Sequence, residues 1–164
     1  VFQAFEHSES RIGALYRTEI MTASKKSLRI LIVDDEEAIR DSCRQVLSKD
    51  GYVVVSAADG STGLKLLEVF RPHVVLVDLK MPGISGLEML TRIGRLDRSI
   101  VSIAISGYAT MGNMKKALEL GAIEFLPKPF APSELRDVVH RALSRGNPDS
   151  GTPPNNSPAD RRQA

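Results

Sequence analysis

The chain has 164 residues, 42% of them hydrophobic and 26% charged, enough for one sizeable core and hardly for two. The net charge of +2 comes from 22 basic and 20 acidic side chains that are interspersed, so no basic stripe argues for nucleic acid or an anionic membrane surface. One cysteine, Cys43, excludes an internal disulfide, and no apolar run approaches a membrane span or a signal h-region, which predicts a soluble cytoplasmic protein.

The first stretch, VFQAFEHSESRIGALYRTEI, precedes Met21, and MTASKK reads as a natural start. Residues 1–28 are therefore expected to be an N-terminal extension or upstream sequence. Phe5, Ile12, Tyr16 and Ile20 share one face if the stretch is helical; a frayed leader fits equally well. Arg29 to Val33 then predicts a short apolar strand, and Glu36 to Lys49 a helix with Ile39, Cys43, Val46 and Leu47 on one face. Cys43 in that setting reads as a buried structural thiol rather than a nucleophile.

The pair repeats. Val53 to Ala57 is a β-branched run, and Ser61 to Phe70 carries Leu64, Leu67 and Phe70 at helical spacing before Arg71-Pro72 ends it. GSTGLK, Gly60 to Lys65, has the look of a phosphate loop but lacks the Gly-Lys-Ser/Thr spacing, so it reads as a cap and turn. Val74 to Val77 is apolar without alternation, the pattern of a strand covered on both faces. It runs straight into Asp78. A helix near Leu87 to Gly94, a strand at Val101 to Ile105, a helix near Ala109 to Leu120 closed by Gly121, a strand at Ile123 to Leu126 and a helix over Ser133 to Ser144 complete the series. Gly107 and Gly112 flank YATM, and glycine weakens helical order there, so that segment is expected to be mobile. Residues 146–164, rich in Pro, Asn, Ser, Gly and Asp, predict a disordered tail or a truncated linker.

Five βα units with right-handed crossovers make an α/β fold, a parallel sheet between helix layers, in one domain over 29–145. In such a sheet the carboxyl ends of the strands converge on one edge. Asp34 and Asp35 end the first strand, Asp78 the third, Ser106 the fourth, and Lys128 follows the fifth. Three anions there repel unless a cation shares them, and hard oxygens with no Cys or His nearby suit Mg²⁺ better than zinc. Lys128 and Ser106 complete a cradle for the equatorial oxygens of a phosphoryl group, with Asp78 as the central nucleophile. His7, His73 and His140 are scattered singly and indicate neither a metal cluster nor a phosphohistidine relay.

Four stretches, ILIVDDEEAIR, VVLVDLKMPGISGLEML, AISGYAT and GAIEFLPKPF, together resemble in order and spacing the receiver domains of two-component response regulators. The resemblance covers Arg29 to about Arg145. It implies a flavodoxin-like (βα)5 sandwich with strand order 2-1-3-4-5. It also implies that Asp78 accepts a phosphoryl group from a histidine kinase phosphohistidine. Asp35, Asp78 and the backbone carbonyl of Lys80 correspond to ligands of Mg²⁺, with Asp34 acting through water. Lys128 corresponds to the lysine that contacts the phosphoryl group, held by a cis peptide before Pro129. Ser106 and Phe125 correspond to the switch hydroxyl and the aromatic ring that follows it. Lys80 and Tyr108 stand where the family tunes access of hydrolytic water.

A domain of this kind is a phosphoacceptor that promotes its own phosphotransfer and dephosphorylation, not an enzyme acting on another substrate. The implied partners are a histidine kinase or phosphotransfer protein and an output domain or downstream protein. The second would dock on the face of the fourth helix, fifth strand and fifth helix, where Met111, Met114, Lys115, Lys116, Arg136 and Arg141 are candidates. A phosphorylation-linked homodimer is a further option; direct contact with nucleic acid or membrane is not expected. An aspartate-nucleophile phosphatase of the haloacid dehalogenase type requires a second acid where this chain has Lys80. A phosphorylation-independent binding module is opposed by the complete set of site residues. No helix-turn-helix pattern follows Arg145, so the expectation is a stand-alone receiver or one whose output part is missing.

Overall fold

The computed structural model describes residues 27–146; the expectations for 1–26 and 147–164 lie outside them. The elements alternate without exception: β1 (Arg29–Val33), α1 (Glu37–Lys49), β2 (Val53–Ala57), α2 (Gly60–Phe70), β3 (Val74–Asp78), α3 (Gly86–Leu96), β4 (Val101–Ser106), α4 (Met111–Glu119), β5 (Ala122–Pro127) and α5 (Pro132–Gly146). The strands form one sheet in the order β2-β1-β3-β4-β5, and every pairing is parallel. This is the flavodoxin-like arrangement that the resemblance to receiver domains implies. Among the described residues no helix is long and apolar enough to cross a membrane.

The unbroken apolar strands explain the layers. Side chains alternate between faces along a strand, so β1 sends Leu31 and Val33 to one side and Ile30 and Ile32 to the other. On the first side they meet Leu66, Leu67 and Phe70 of α2, Met89, Leu90 and Ile93 of α3 and Ala117 of α4. On the second they meet Cys43 and Leu47 of α1 and Leu135, Val138, Val139 and Ala142 of α5. Each fully buried Val, Leu or Ile contributes roughly 1.5–3 kcal/mol. Cys43 lies wholly in this core, and burial, with Asp34 nearby, pushes its thiol up to about 12, so it is inert. His73 also has a structural place, its Nδ1 accepting the Arg29 backbone N–H at 3.0 Å.

Element ends differ from the sequence expectation where a cap decides them. Ser85, Thr110 and Asp59 accept backbone N–H bonds from Glu88, Asn113 and Thr62. These caps start α3 one residue early, α4 two residues late and α2 at Gly60. α2 stops because Arg71 adopts a left-handed conformation, φ 50°, before the proline is reached. Leu66, absent from the expected face of α2, is buried, whereas Leu64 is only partly so.

One close approach fixes the loop after β3. A Cβ on Gly86 would overlap the carbonyl oxygen of Asp78 and lie 2.6 Å from the Leu79 Cα, so the first turn of α3 sits directly on the strand end that carries the candidate nucleophile. Gly94, in the same helix, has nothing within 4 Å of an added Cβ. Gly86→Ala should therefore destabilise by about 3 kcal/mol or more, since backbone on both sides cannot yield. Gly94→Ala should stabilise by roughly 0.5–1 kcal/mol. Urea denaturation of both variants checks the pair, and equal midpoints would refute the packing argument.

Candidate functional site

The parallel ladder runs past the strand ends and carries the site residues with it. The N–H of Asp34 bonds to Ala57 O, that of Leu79 to Ile105 O and that of Lys128 to Ser106 O, at 3.2, 2.9 and 2.9 Å. The backbone at Asp34, just after Asp78 and at Lys128 is thus tied to a neighbouring strand. The peptide between Lys128 and Pro129 is cis, as the resemblance implies.

These ties bring the acids onto one ammonium. Lys128 Nζ lies 2.8 Å from Asp34 Oδ2, 2.8 Å from Glu36 Oε1 and 3.2 Å from Asp78 Oδ2. Asp34 is wholly buried and Asp78 is 4% exposed. Each has its second oxygen held by backbone two residues on, Asp34 Oδ1 by the Glu36 N–H at 2.9 Å and Asp78 Oδ1 by the Lys80 N–H at 3.1 Å. Arg40 closes the first turn of α1 over β1 by donating to the Asp34 carbonyl oxygen at 2.8 Å. Asp35 is exposed at the rim.

The charges act on one another in a definite order. Burial is the largest influence on Asp78 and raises its carboxyl above the ordinary range. The neighbouring Asp34 adds to that, against the lowering effects of the Lys80 N–H and Lys128. For Lys128 burial is again the largest single influence and would lower it, but contacts with Asp34 and Glu36 and the charge of Asp78 together carry it above the ordinary lysine range. The lysine is a fixed cation, whereas Asp78 is an anion held at a cost.

Whether these residues fit a divalent ion can be read from the oxygens. Asp34, Asp35, Glu36 and Asp78 each offer a carboxylate oxygen, all within 4.8 Å of one another. Asp34 Oδ2 is buried with no aligned hydrogen-bond donor, having only the Lys128 charge beside it. An all-oxygen set with an undersatisfied anionic atom at its centre suits a hard cation such as Mg²⁺.

Ser106 is buried, and its Oγ accepts the Tyr108 N–H at 3.0 Å, which leaves its own proton to donate. Phe125 is half-buried, packed on the α2, α3 and α4 side of the sheet and opposite Ala104 in the β4–β5 register. Lys80 and Tyr108, from the loops after β3 and β4, meet face to face: Lys80 Nζ lies 3.8 Å from the Tyr108 ring centroid. Sequence reading did not assign Glu36, Arg40 or Gly86 to the site. The density of acid in IVDDEE was the only signal for Glu36; the other two act through contacts that spacing does not reveal. Arg136 is a correction: its guanidinium pairs with Asp50 at the C-terminal end of α1, 2.9 Å away, so it faces α1 and not the β5 side. Arg141 does pair with Glu124 of β5.

Comparison with known proteins agrees with the fold. A family model described as a response regulator receiver domain matches residues 30–140. Sporulation initiation phosphotransferase F of Bacillus subtilis is 38% identical over 115 residues, covering 70% of this chain and 93% of that protein. Response regulator MprA of Mycolicibacterium vanbaalenii is 36% identical over 124 residues, covering 76% of this chain but 54% of that protein. The chain therefore spans about half the length of that relative. A solved receiver domain protein, described as CheY-like, from Methanospirillum hungatei superposes with a TM-score of 0.71 at 35% identity, over 74% of this chain and 97% of that one.

The electrostatics predict a stability effect with a defined sign. Because folding raises the Asp78 pKa, its ionised form opposes folding once the pH exceeds the unfolded value, and that penalty is absent in acid, where both states are protonated. Asp78→Asn should therefore melt higher than the wild type at pH 7 without divalent ions. The gap should close as the pH falls below the ordinary carboxylate range, and it should shrink when Mg²⁺ is added to both. Thermal melts across pH check this; a variant less stable than wild type at pH 7 would contradict it.

Proposed function

The chain belongs to the family of response regulator receiver domains, and from that membership we propose that Asp78 accepts a phosphoryl group from the phosphohistidine of a histidine kinase or phosphotransfer protein. The observation that supports this reading is the Lys128 ammonium, shared between two buried aspartates from different strands and 3.2 Å from an oxygen of Asp78. An oxygen of the Asp78 carboxylate forms the new bond to phosphorus while the bond from phosphorus to the donor imidazole nitrogen breaks, and that nitrogen keeps the electron pair. Little covalent chemistry is asked of the protein beyond holding the groups in line and neutralising charge.

Each residue has a task in that step. The Lys80 N–H holds one Asp78 oxygen and so orients the other toward the donor. Lys128 neutralises equatorial phosphoryl oxygens. Asp35, Asp78 and the Lys80 carbonyl, with Asp34 through water, would hold Mg²⁺, which supplies further neutralising charge when bound. Ser106 donates its hydroxyl proton to the attached phosphoryl group, and Phe125 turns into the space the hydroxyl leaves. A local pull of this kind biases the loop before α4, and the face of α4, β5 and α5 passes the change to an output domain or downstream protein, or to a second phosphorylated copy. Met111, 83% exposed, and Arg141 lie on that face. The functional unit spans 29–145, and its setting is the cytoplasm.

Two outcomes test the reading. Incubation of the full chain with Mg²⁺ and acetyl phosphate should add one phosphoryl group by intact mass, dependent on the metal and missing from Asp78→Asn; an adduct that persists in the variant would move the acceptor elsewhere. Lifetime gives the second. Lys80, whose N–H bonds to Asp78, and Tyr108, whose N–H bonds to Ser106, form a cation–π pair at an exposed site, worth roughly 0.5–1 kcal/mol. Tyr108→Ala should speed loss of the phosphoryl group by about two- to fivefold. An unchanged decay rate would remove Tyr108 from that role.

A further inference from the structure

We propose that Glu36 is a displaceable placeholder on Lys128, holding the ammonium until a phosphoryl oxygen takes its position and thereby limiting entry of small anionic phosphodonors. The inference rests on the roles given above to Asp78 and Lys128.

An ammonium has three N–H groups to donate and no acceptor. Three carboxylate oxygens already crowd Lys128 Nζ, two in aligned hydrogen bonds, Glu36 at 2.8 Å and Asp78 at 3.2 Å, and the third, Asp34 Oδ2, in close ionic contact at 2.8 Å. A phosphoryl oxygen arriving beside Asp78 must replace one of them. The three are not equally free to leave. Asp34 is wholly out of water at the end of β1, and losing Lys128 would strand a buried charge. Asp78 is the point of attachment. The Glu36 side chain is 60% exposed, so it can swing into solvent with little change in hydration.

The position of Glu36 supports the same conclusion. It is the N-cap residue of α1, yet its side chain makes no capping bond, although an N-cap side chain ordinarily accepts from the helix. It reaches instead to a residue 92 positions away in sequence. While seated there it places a negative charge at the mouth of the site, in the path of a small anion that has no docking surface to offset the repulsion. A phosphohistidine delivered by a protein arrives with such a surface. One rival assignment is open to direct measurement: Glu36 also lies within the 4.8 Å cluster of acids and would, if it were a metal ligand, be required for cation binding rather than in the way of the donor.

The full chain and its Glu36→Gln and Glu36→Asp variants separate these cases. With saturating Mg²⁺ and acetyl phosphate, Glu36→Gln should form the Asp78 adduct about three- to tenfold faster than wild type. Glu36→Asp, which keeps the charge, should stay within about twofold. Calorimetric titration of the unphosphorylated proteins with Mg²⁺ should give affinities within about threefold of one another. A loss of about tenfold or more in Glu36→Gln would make Glu36 a ligand and overturn the proposal. Adducts forming at equal rates on wild type and Glu36→Gln would overturn it while leaving the Asp78 reading intact. No adduct on either, with both folded and Mg²⁺ bound, would overturn this inference, and failure of Asp78 to take a phosphoryl group from a phosphohistidine-bearing protein as well would overturn that reading.

Discussion

Two aspartates almost wholly out of water, Asp34 and Asp78, can stand side by side only because the Lys128 ammonium lies against both. Everything else about the site follows from keeping that one cation in place. The lysine comes from beyond β5, Asp34 from the end of β1 and Asp78 from the end of β3, so the contact closes a span across the sheet that local structure could not hold. Buried ion pairs recover their desolvation cost only with good geometry and further hydrogen bonds. Here the Glu36 and Lys80 N–H groups supply those bonds on the outer oxygens. One oxygen, Asp34 Oδ2, lacks a donor. The cluster is therefore balanced but not satisfied, which is the condition for a site that accepts a cation or an anion without first being dismantled.

The sheet provides the rigidity that this balance needs. β1, β3 and β4 are buried along nearly their whole length, and the two apolar layers they feed lie on opposite faces. A register slip of one residue would exchange those layers and move every functional side chain off the edge. Hydrophobic patterning thus does two things at once: it stabilises the domain and positions a destabilising site within it. The glycine at position 86 belongs to the same logic, since any side chain there would push α3 away from the carbonyl of the residue proposed to be phosphorylated.

Much of this was readable in the residues. Apolar runs ending in Asp34, Asp78 and Ser106 marked strands and their carboxyl ends, because the period-free pattern has few other physical causes. Helix starts were less legible, since an N-cap such as Ser85 or Thr110 is a single hydrogen bond and leaves no periodic trace. Arg136 was placed on the wrong side of α5 because charge composition says that a side chain is solvated without saying which neighbour it meets; Asp50 decides that. The Lys80–Tyr108 pair and the Glu36–Lys128 bridge join residues from separate loops or distant elements, so neither was visible as spacing.

The same unevenness bears on how the proposed switch can move. α5 is anchored by four buried side chains and α3 by Met89, Leu90 and Ile93 together with the fixed Gly86, whereas α4 buries Ala117 alone. Gly107 in its lead-in and Gly112 in its first turn both have open space around them, and its first residue, Met111, is largely in solvent. Few buried apolar contacts mean a low free energy for local displacement. Ser106 and Phe125 adjoin this weakly held helix, while the acids and Lys128 are tied to the most rigid strands. A pull on one hydroxyl therefore need not disturb the core, because what it must move is the part of the domain that packing holds least.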